Sequence, residues 1–313
     1  MDIFVTGATG VLGRPVARML ADEGHRVRAL ARSDSNDELI RRLGAEPVRG
    51  DLFDPASLGR AVAGAEAVLH LATRIPPRSR ARAPEAWAEN NRIRTEGTRN
   101  LVDAALAAGT RTFVYPGICF VYADGGDAWI DAESGTIEAG GMLGSTLAAE
   151  VEVRRFTDAG RRGIVLRMGY FYGPEAESTL DTLALARRGA AILAGEGDAY
   201  YPSVWVDDAA SAVVAALRSA PAGTFDVVDD EPLPRRELAR TIAEAVGRRF
   251  VVRPPVWLLK LAGGREALFM ARSQRVSNRR FRAATGWAPR VPDAREGWRR
   301  VAEALREPQP HGD

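Results

Sequence analysis

Residues 2–23 limit how this chain can fold more than any other stretch. Asp2–Val5 is a short apolar strand, TGATGVLG (Thr6–Gly13) follows without a break, and the amphipathic run Arg14–Glu23 comes next. A glycine-rich turn between strand and helix lets a pyrophosphate approach the backbone. The helix N-terminus beyond it offers unpaired N–H donors and a favourable dipole. Gly7, Gly10 and Gly13 are spaced G-x-x-G-x-x-G, with Thr9, Val11 and Leu12 completing the turn. The motif stands in the strand–turn–helix setting that dinucleotide binding requires. It predicts a cofactor site on the first unit of an α/β, Rossmann-type, doubly wound parallel sheet.

Downstream, strands and helices alternate with short connections, as a parallel sheet demands. Strands are expected near residues 2–6, 26–31, 46–49, 66–71, 111–115 and 163–168. Helices are expected over 11–23, 37–43, 56–63, 85–108 and 143–158. The second strand ends in Ala31, Arg32 and Ser33. An enzyme that prefers NAD usually places a carboxylate there for the ribose 2′-hydroxyl, whereas an arginine accommodates the 2′-phosphate of NADP. Arg32, with Ser33 beside it, therefore predicts NADP(H) in preference to NAD(H).

Composition excludes several classes. The 313 residues are 46% hydrophobic, enough for a large core. Net charge is +2 from 43 basic and 41 acidic residues, which argues against nucleic acid or membrane as partner. The densest basic stretch, Arg78, Arg80 and Arg82, reads as a solvated loop. One cysteine, Cys119, rules out an intramolecular disulfide and suits a reducing compartment. His25, His70 and His311 have no metal spacing and make no hydrolase triad, so no metal is expected. His70 lies in an apolar run and reads as a packed residue. The chain opens on a strand without a charged-then-apolar leader, and no apolar run reaches about 18 residues. A cytoplasmic protein is expected.

Together these motifs resemble the extended or atypical short-chain dehydrogenase/reductases of the epimerase/dehydratase branch. The TGATGVLG turn matches the glycine signature of that branch, and Asp51-Leu52 its adenine-contacting pair. His70-Leu71-Ala72-Thr73 matches the end of its fourth strand, and Glu96–Leu101 its GTxNL helix. Arg167–Pro174, which includes Met168 and Phe171, resembles its R-x-x-x-x-Y-G-P segment, and Val206-Asp207-Asp208 its VDD. The resemblance implies an NADP-binding domain over 1–170, with Thr224–Val228 returning to it as a strand. It also implies a substrate-covering lobe from 175–202 and 231–292, then a C-terminal helix and tail over 293–313. Pro254-Pro255 is placed to start a lobe helix whose apolar face is Trp257, Leu258, Leu261, Leu268 and Phe269. The tail after Glu307 reads as disordered. Relatives of this fold commonly dimerise through the helices at 85–108 and 143–158, so a homodimer is implied.

The catalytic residues of the branch are missing. Its serine lies four or five residues before the tyrosine that is Tyr122 here, and Ile118 and Gly117 hold those positions. Its Tyr-x-x-x-Lys pair lies eight and four residues before Glu150, where Met142 and Thr146 stand. Arg94 replaces the asparagine that precedes the Gly-Thr pair. Of the six tyrosines none has a lysine four residues later, and the one lysine is Lys260.

A positioned acid typically contributes 10²–10⁴-fold to such a reaction. A ketone beside a phenolic hydroxyl can provide that donor itself, with the advantage of an intramolecular group. Ile118, Phe120, Met142 and Tyr172 would line a wide apolar pocket suited to flat rings. The chain thus resembles the atypical ketoreductases that act on angucyclinone- or anthraquinone-like polyketides in antibiotic biosynthesis. Ser145, Thr73 and Tyr172 are the side chains nearest to serving as a replacement acid. Two other readings stay open: a non-catalytic NADP(H)-binding sensor or regulator, and a sugar-nucleotide epimerase or dehydratase, which the missing tyrosine disfavours.

Overall fold

The computed structural model describes residues 1–313 except 78–79, 81–82, 192, 254–256, 258–268, 307–313 and the side chain of Met142. Seven strands form one parallel sheet: β1 (Asp2–Thr6), β2 (Arg26–Ala31), β3 (Glu46–Arg49), β4 (Ala67–His70), β5 (Thr112–Ile118), β7 (Arg162–Met168) and β11 (Gly223–Val227). Their order is β11-β7-β5-β4-β1-β2-β3. The order reverses between β1 and β4. In an open α/β sheet ligands bind outside the carboxyl ends of the strands at such a reversal. The expected Rossmann-type architecture is the one observed, and β11 pairs in register with β7 from Gly223↔Ile164 to Val227↔Met168.

Both faces of the sheet are covered, which is why β4 and β5 read as continuous apolar runs rather than alternating ones. Helices α1 (Gly13–Asp22) and α8 (Val206–Ser219) pack on one face, with Val16, Leu20, Val213 and Leu217 in its core. On the other face lie α3 (Pro55–Val62), α5 (Thr98–Ala107) and α6 (Gly144–Asp158), with Leu58, Leu101, Val153 and Phe156 buried beneath them. A third core joins the later segments: Phe120, Tyr172, Leu183, Tyr201, Leu238, Val291 and Trp298 are all buried in it. It is built from β6 (Trp129–Ile130), β8 (Tyr170–Tyr172), α7 (Glu177–Arg187), β9 (Tyr200–Tyr201), β10 (Ser203–Trp205), α9 (Arg235–Ala245) and α11 (Ala294–Ala304), among others, whereas α10 (Arg279–Thr285) packs on α8 and β11 with Phe281 in the same core as Val213.

Two helices differ from the sequence reading. α2 spans Asp34–Arg42 and begins three residues early because the Ser33 hydroxyl caps it, accepting from the Asn36 N–H at 3.4 Å. The single helix expected over 85–108 is instead a rod of four pieces. A 3₁₀ turn at Pro84–Trp87 leads into α4 (Ala88–Arg92), a π turn at Ile93–Gly97, and α5. A π turn inserts one extra residue per turn and is common at functional sites.

Arg78, Arg82, His311 and Lys260 lie outside the described residues, as do the expected helix start at Pro254-Pro255 and its Leu258, Leu261 and Leu268. Within that helix Trp257 is described and exposed, and Phe269 packs on the third core. Among the described residues no helix is long and apolar enough to cross a membrane.

Candidate active site

The turn after β1 is shaped by two glycines. Gly7 has φ +77°, and a Cβ there would lie 2.5 Å from the Ala72 backbone nitrogen. The chain leaving β4 therefore runs directly against the turn. A Cβ on Gly13 would collide with the Gly7 carbonyl, so α1 starts as close to β1 as backbone allows. Gly10 is different: it is exposed, and a Cβ there would meet only the Gly7 carbonyl, at 3.3 Å. That open side, with the first-turn N–H groups of α1 above it, has the room and the donors that a pyrophosphate needs. Thr9 and Val11 are half-buried at its rim, and Leu12 is buried beneath it.

The remaining expected cofactor residues ring this turn. Arg32 and Ser33 follow β2; Arg32 is exposed, with only a loose pairing to Glu89 at 3.7 Å. Asp51 and Leu52 follow β3. The Asp51 carboxylate accepts from Phe53 N at 2.9 Å, and Asn100 of α5 donates to the Leu52 carbonyl at 3.0 Å. Leu71 is buried, Ala72 half-buried and Thr73 exposed, all just beyond β4. Met168 ends β7 as a buried residue, and Phe171 is half-buried against the sheet core. The structure thus collects the sequence-predicted residues at the carboxyl edge of the sheet, where the chain fits a dinucleotide.

His70 is the packed residue the sequence suggests. Its Nδ1 lies 2.7 Å from Thr6 Oγ1 and its Nε2 3.1 Å from Thr98 Oγ1, tying β1 and β4 to α5. Burial pushes the imidazole down to about 4, Ile93 backbone raising it and the charge of Arg94 lowering it. It is neutral at ordinary pH.

Four positions were read from the sequence as replacements of catalytic groups. Ile118 closes β5 and is half-buried; Gly117 is buried before it. Met142 stands in a 3₁₀ turn, Gly141–Leu143, immediately before α6 rather than within the helix. Thr146 is 0% exposed, and its hydroxyl is 3.2 Å from that of Tyr115. Burial raises the pKa of Tyr115, which Arg94 and Thr146 lower only in part. Ser145 donates to Asn91 Oδ1 at 2.8 Å.

Two expected substrate contacts are corrected. Phe120 is 2% exposed, with its ring 5.6 Å from that of Tyr201 in the third core. Tyr172 is 1% exposed and stacked on Trp298 of α11 at 6.1 Å. Its hydroxyl donates to Asp229 at 3.1 Å and to the Asp293 carbonyl at 3.2 Å. In β8 the side chains alternate, so when Phe171 faces the sheet core Tyr172 faces the lobe. Both rings serve packing. Nor is Tyr172 placed as a replacement acid, because its hydroxyl is buried and engaged with Asp229 and the Asp293 carbonyl; burial first, then Asp229, raises its pKa well above the usual value.

Sequence reading missed a buried polar chain beside these positions. Arg167 makes a two-pronged pair with Glu150 of α6, at 2.7 and 3.0 Å, and donates to the Tyr122 hydroxyl at 3.0 Å. That hydroxyl in turn donates to Asp226 of β11 at 2.7 Å. Asp226 is raised to about 7 by burial, with Tyr122 and Arg167 opposing. Arg167 was legible as part of the R-x-x-x-x-Y-G-P run; nothing local marked Asp226 as its distant partner. Among the described residues no group of three or more His, Cys, Asp or Glu side chains is placed to hold a metal.

A family model described as "NAD dependent epimerase/dehydratase family" matches residues 3–227. The chain belongs to that family. It is an NAD(P)-dependent oxidoreductase. A relative from a Streptomyces species, 3-diazoavenalumate denitrifying reductase, is 35% identical over 312 residues, covering 95% of this chain and 99% of that protein. A second, the 4-hydroxy-2-methyl-3-oxo-4-farnesyl-3,4-dihydroquinoline-1-oxide ketoreductase of Stigmatella aurantiaca, is 28% identical and covers 79% of this chain and 74% of its own. Among solved structures, human epimerase family protein SDR39U1 with NADPH superposes with a TM-score of 0.78 at 22% identity, covering 97% of this chain and 99% of that one. That likeness concerns the fold.

Proposed function

We propose that this chain is an NADPH-dependent reductase of secondary metabolism that delivers hydride to an aromatic substrate whose electrophile needs no proton from the protein. One observation carries the reading. The Thr146 hydroxyl is buried and engaged with Tyr115, at the position where the resemblance puts the lysine of a pair whose tyrosine position would be Met142. The Gly7–Gly13 turn would hold the pyrophosphate, Asp51 and Leu52 the adenine, and Arg32 and Ser33 the 2′-phosphate. Bound there, the reduced nicotinamide supplies the hydride.

Two electrophiles meet the requirement. A diazo-arene already carries positive charge: hydride adds to its terminal nitrogen, and the resulting aryl diazene loses dinitrogen to leave C–H on the ring. The 35%-identical relative, named for denitrifying a diazo compound, favours this class. The second is a ketone flanked by a phenol in a polycyclic aromatic polyketide, as for the angucyclinone 7-ketoreductase of simocyclinone biosynthesis. There the neighbouring O–H stabilises the alkoxide as it forms. The relative named as a quinoline-oxide ketoreductase supports it.

NADPH consumption measured with diazo-arenes, hydroxyquinones, plain ketones and nucleotide sugars separates these readings. Gas release in step with NADPH oxidation marks the diazo class, and alcohol formation the ketone class. Turnover of a plain ketone or a nucleotide sugar at a comparable rate would sink the acid-independent reading. In the ketone class, methylating the phenol should lower kcat by the roughly 10²–10⁴ that a positioned acid is worth.

Cofactor preference has its own check. NADPH should bind at least about tenfold more tightly than NADH, equivalent to about 1.4 kcal/mol. Arg32→Ala should erase that difference while leaving NADH affinity unchanged. Equal affinities in the parent protein count against it.

A further inference from the structure

Four arginines are buried among the described residues: Arg28, Arg94, Arg167 and Arg235. Arg28 reaches Asp2 and two backbone carbonyls. Arg167 has Glu150 and Tyr122. Arg235 donates to the carbonyls of Tyr200, Met270 and Arg272. Arg94 differs. It is 8% exposed, and among the described residues its buried Nε has no partner and no carboxylate pairs with it. Guanidinium cannot shed its proton in a protein, so burial cannot be relieved by neutralisation. A charge removed from water without a counter-charge is strongly disfavoured. It persists where a partner arrives from outside the chain.

The position of Arg94 indicates where that partner would sit. The residue stands in the π turn Ile93–Gly97, which packs against α6. The turn is tied to β4 through Thr98, whose hydroxyl donates to the Ile93 carbonyl at 3.4 Å and lies 3.1 Å from His70 Nε2, and on the neighbouring β5 Tyr115 touches Thr146 of α6. The carboxylate of α6 that acts on Tyr115, Glu150, is already paired with Arg167. The unpaired cation therefore lies by the position from which the missing lysine of α6 would act. The nicotinamide end of the cofactor has no anion to offer, because its phosphates belong at the glycine turn.

We propose that Arg94 binds an anionic oxygen of the aromatic substrate, a phenolate on the ring system that carries the electrophile. The π turn thereby provides the positive charge that α6 lacks at Thr146. The inference rests on the hydride-transfer reading and names the feature by which the substrate is held: an oxygen negative in the bound molecule, separate from any hydroxyl that assists the electrophile. An anion at this point draws the ring into the site and leaves its electrophile facing the cofactor edge.

Binding, without turnover, tests it. The full chain loaded with NADP⁺ is titrated with 4-nitrophenolate and with the neutral 4-nitroanisole, above the phenol pKa. The parent should prefer the phenolate at least tenfold. Arg94→Asn should bring the ratio close to one by weakening only the phenolate, and Arg94→Lys should keep part of the preference. NADP⁺ affinity should stay the same in all three. Arg94→Asn should also melt no lower than the parent, because it removes an unpaired buried charge. A parent without preference, a preference that survives Arg94→Asn, a loss confined to NADP⁺, or a lower melting temperature in Arg94→Asn would each overturn the assignment. Since no hydride moves, the outcome is separable from the failure of the reductase reading.

Discussion

Glu150→Ala should lower the unfolding free energy by about 3–5 kcal/mol, the usual cost of removing one partner of a buried ion pair. Side chains of Arg167 and Glu150 are 8% and 7% exposed, so water cannot replace the carboxylate. Burial alone pulls the Arg167 pKa down, yet the hydrogen bonds and charge of Glu150, with help from Tyr122, hold it above the ordinary arginine value. Loss of Glu150 reverses that balance and strands the guanidinium. The change should appear in urea melts as a lower midpoint with an unchanged slope. Adding Arg167→Met should restore much of the loss, since two apolar groups leave no orphaned charge. A Glu150→Ala protein within 1 kcal/mol of the parent would mean that the pair is not buried as described. The pair also leaves little room for a side chain at residue 117: a Cβ on Gly117 would come 3.0 Å from Glu150 Oε1.

Gly13→Ala should abolish tight cofactor binding, with a loss of NADPH affinity of about 10²-fold or more, equal to about 2.7 kcal/mol. The added methyl would overlap the Gly7 carbonyl and press on Ala8, both of them backbone that cannot rotate aside. Relief requires α1 to move away from β1. That carries the first-turn N–H groups off the site where a pyrophosphate would sit. Overpacking of this kind commonly costs 1–3 kcal/mol of stability as well. Gly10→Ala is the control, because its Cβ would meet only one carbonyl, at 3.3 Å. It should keep the fold and lose affinity through occupied space alone. Isothermal titration with NADPH, alongside a thermal melt, separates the two. Unchanged affinity in Gly13→Ala would refute the turn as the phosphate seat.

The sequence by itself determined the cofactor half of this protein. Strand, glycine turn and helix are contiguous in residues 2–23, so their geometry follows from local chain properties and needs no distant partner. The alternation of apolar strands and amphipathic helices likewise sufficed for a parallel sheet with both faces covered. That no tyrosine has a lysine four residues later is a fact of the sequence alone; that Met142 and Thr146 hold the positions of a catalytic pair is what the resemblance implies. Tertiary structure decided the rest. Phe120 and Tyr172 looked like pocket walls, but the lobe core holds both rings, against Tyr201 and Trp298 respectively, and only for Tyr172 does strand alternation account for the direction. The Tyr122–Asp226 bond joins residues 104 positions apart, and only the docking of β11 beside β7 brings them together. Arg94 could be seen as an unusual residue at an asparagine position. That it is buried, with its Nε unpartnered among the described residues, is decided by the packing of the π turn against α6.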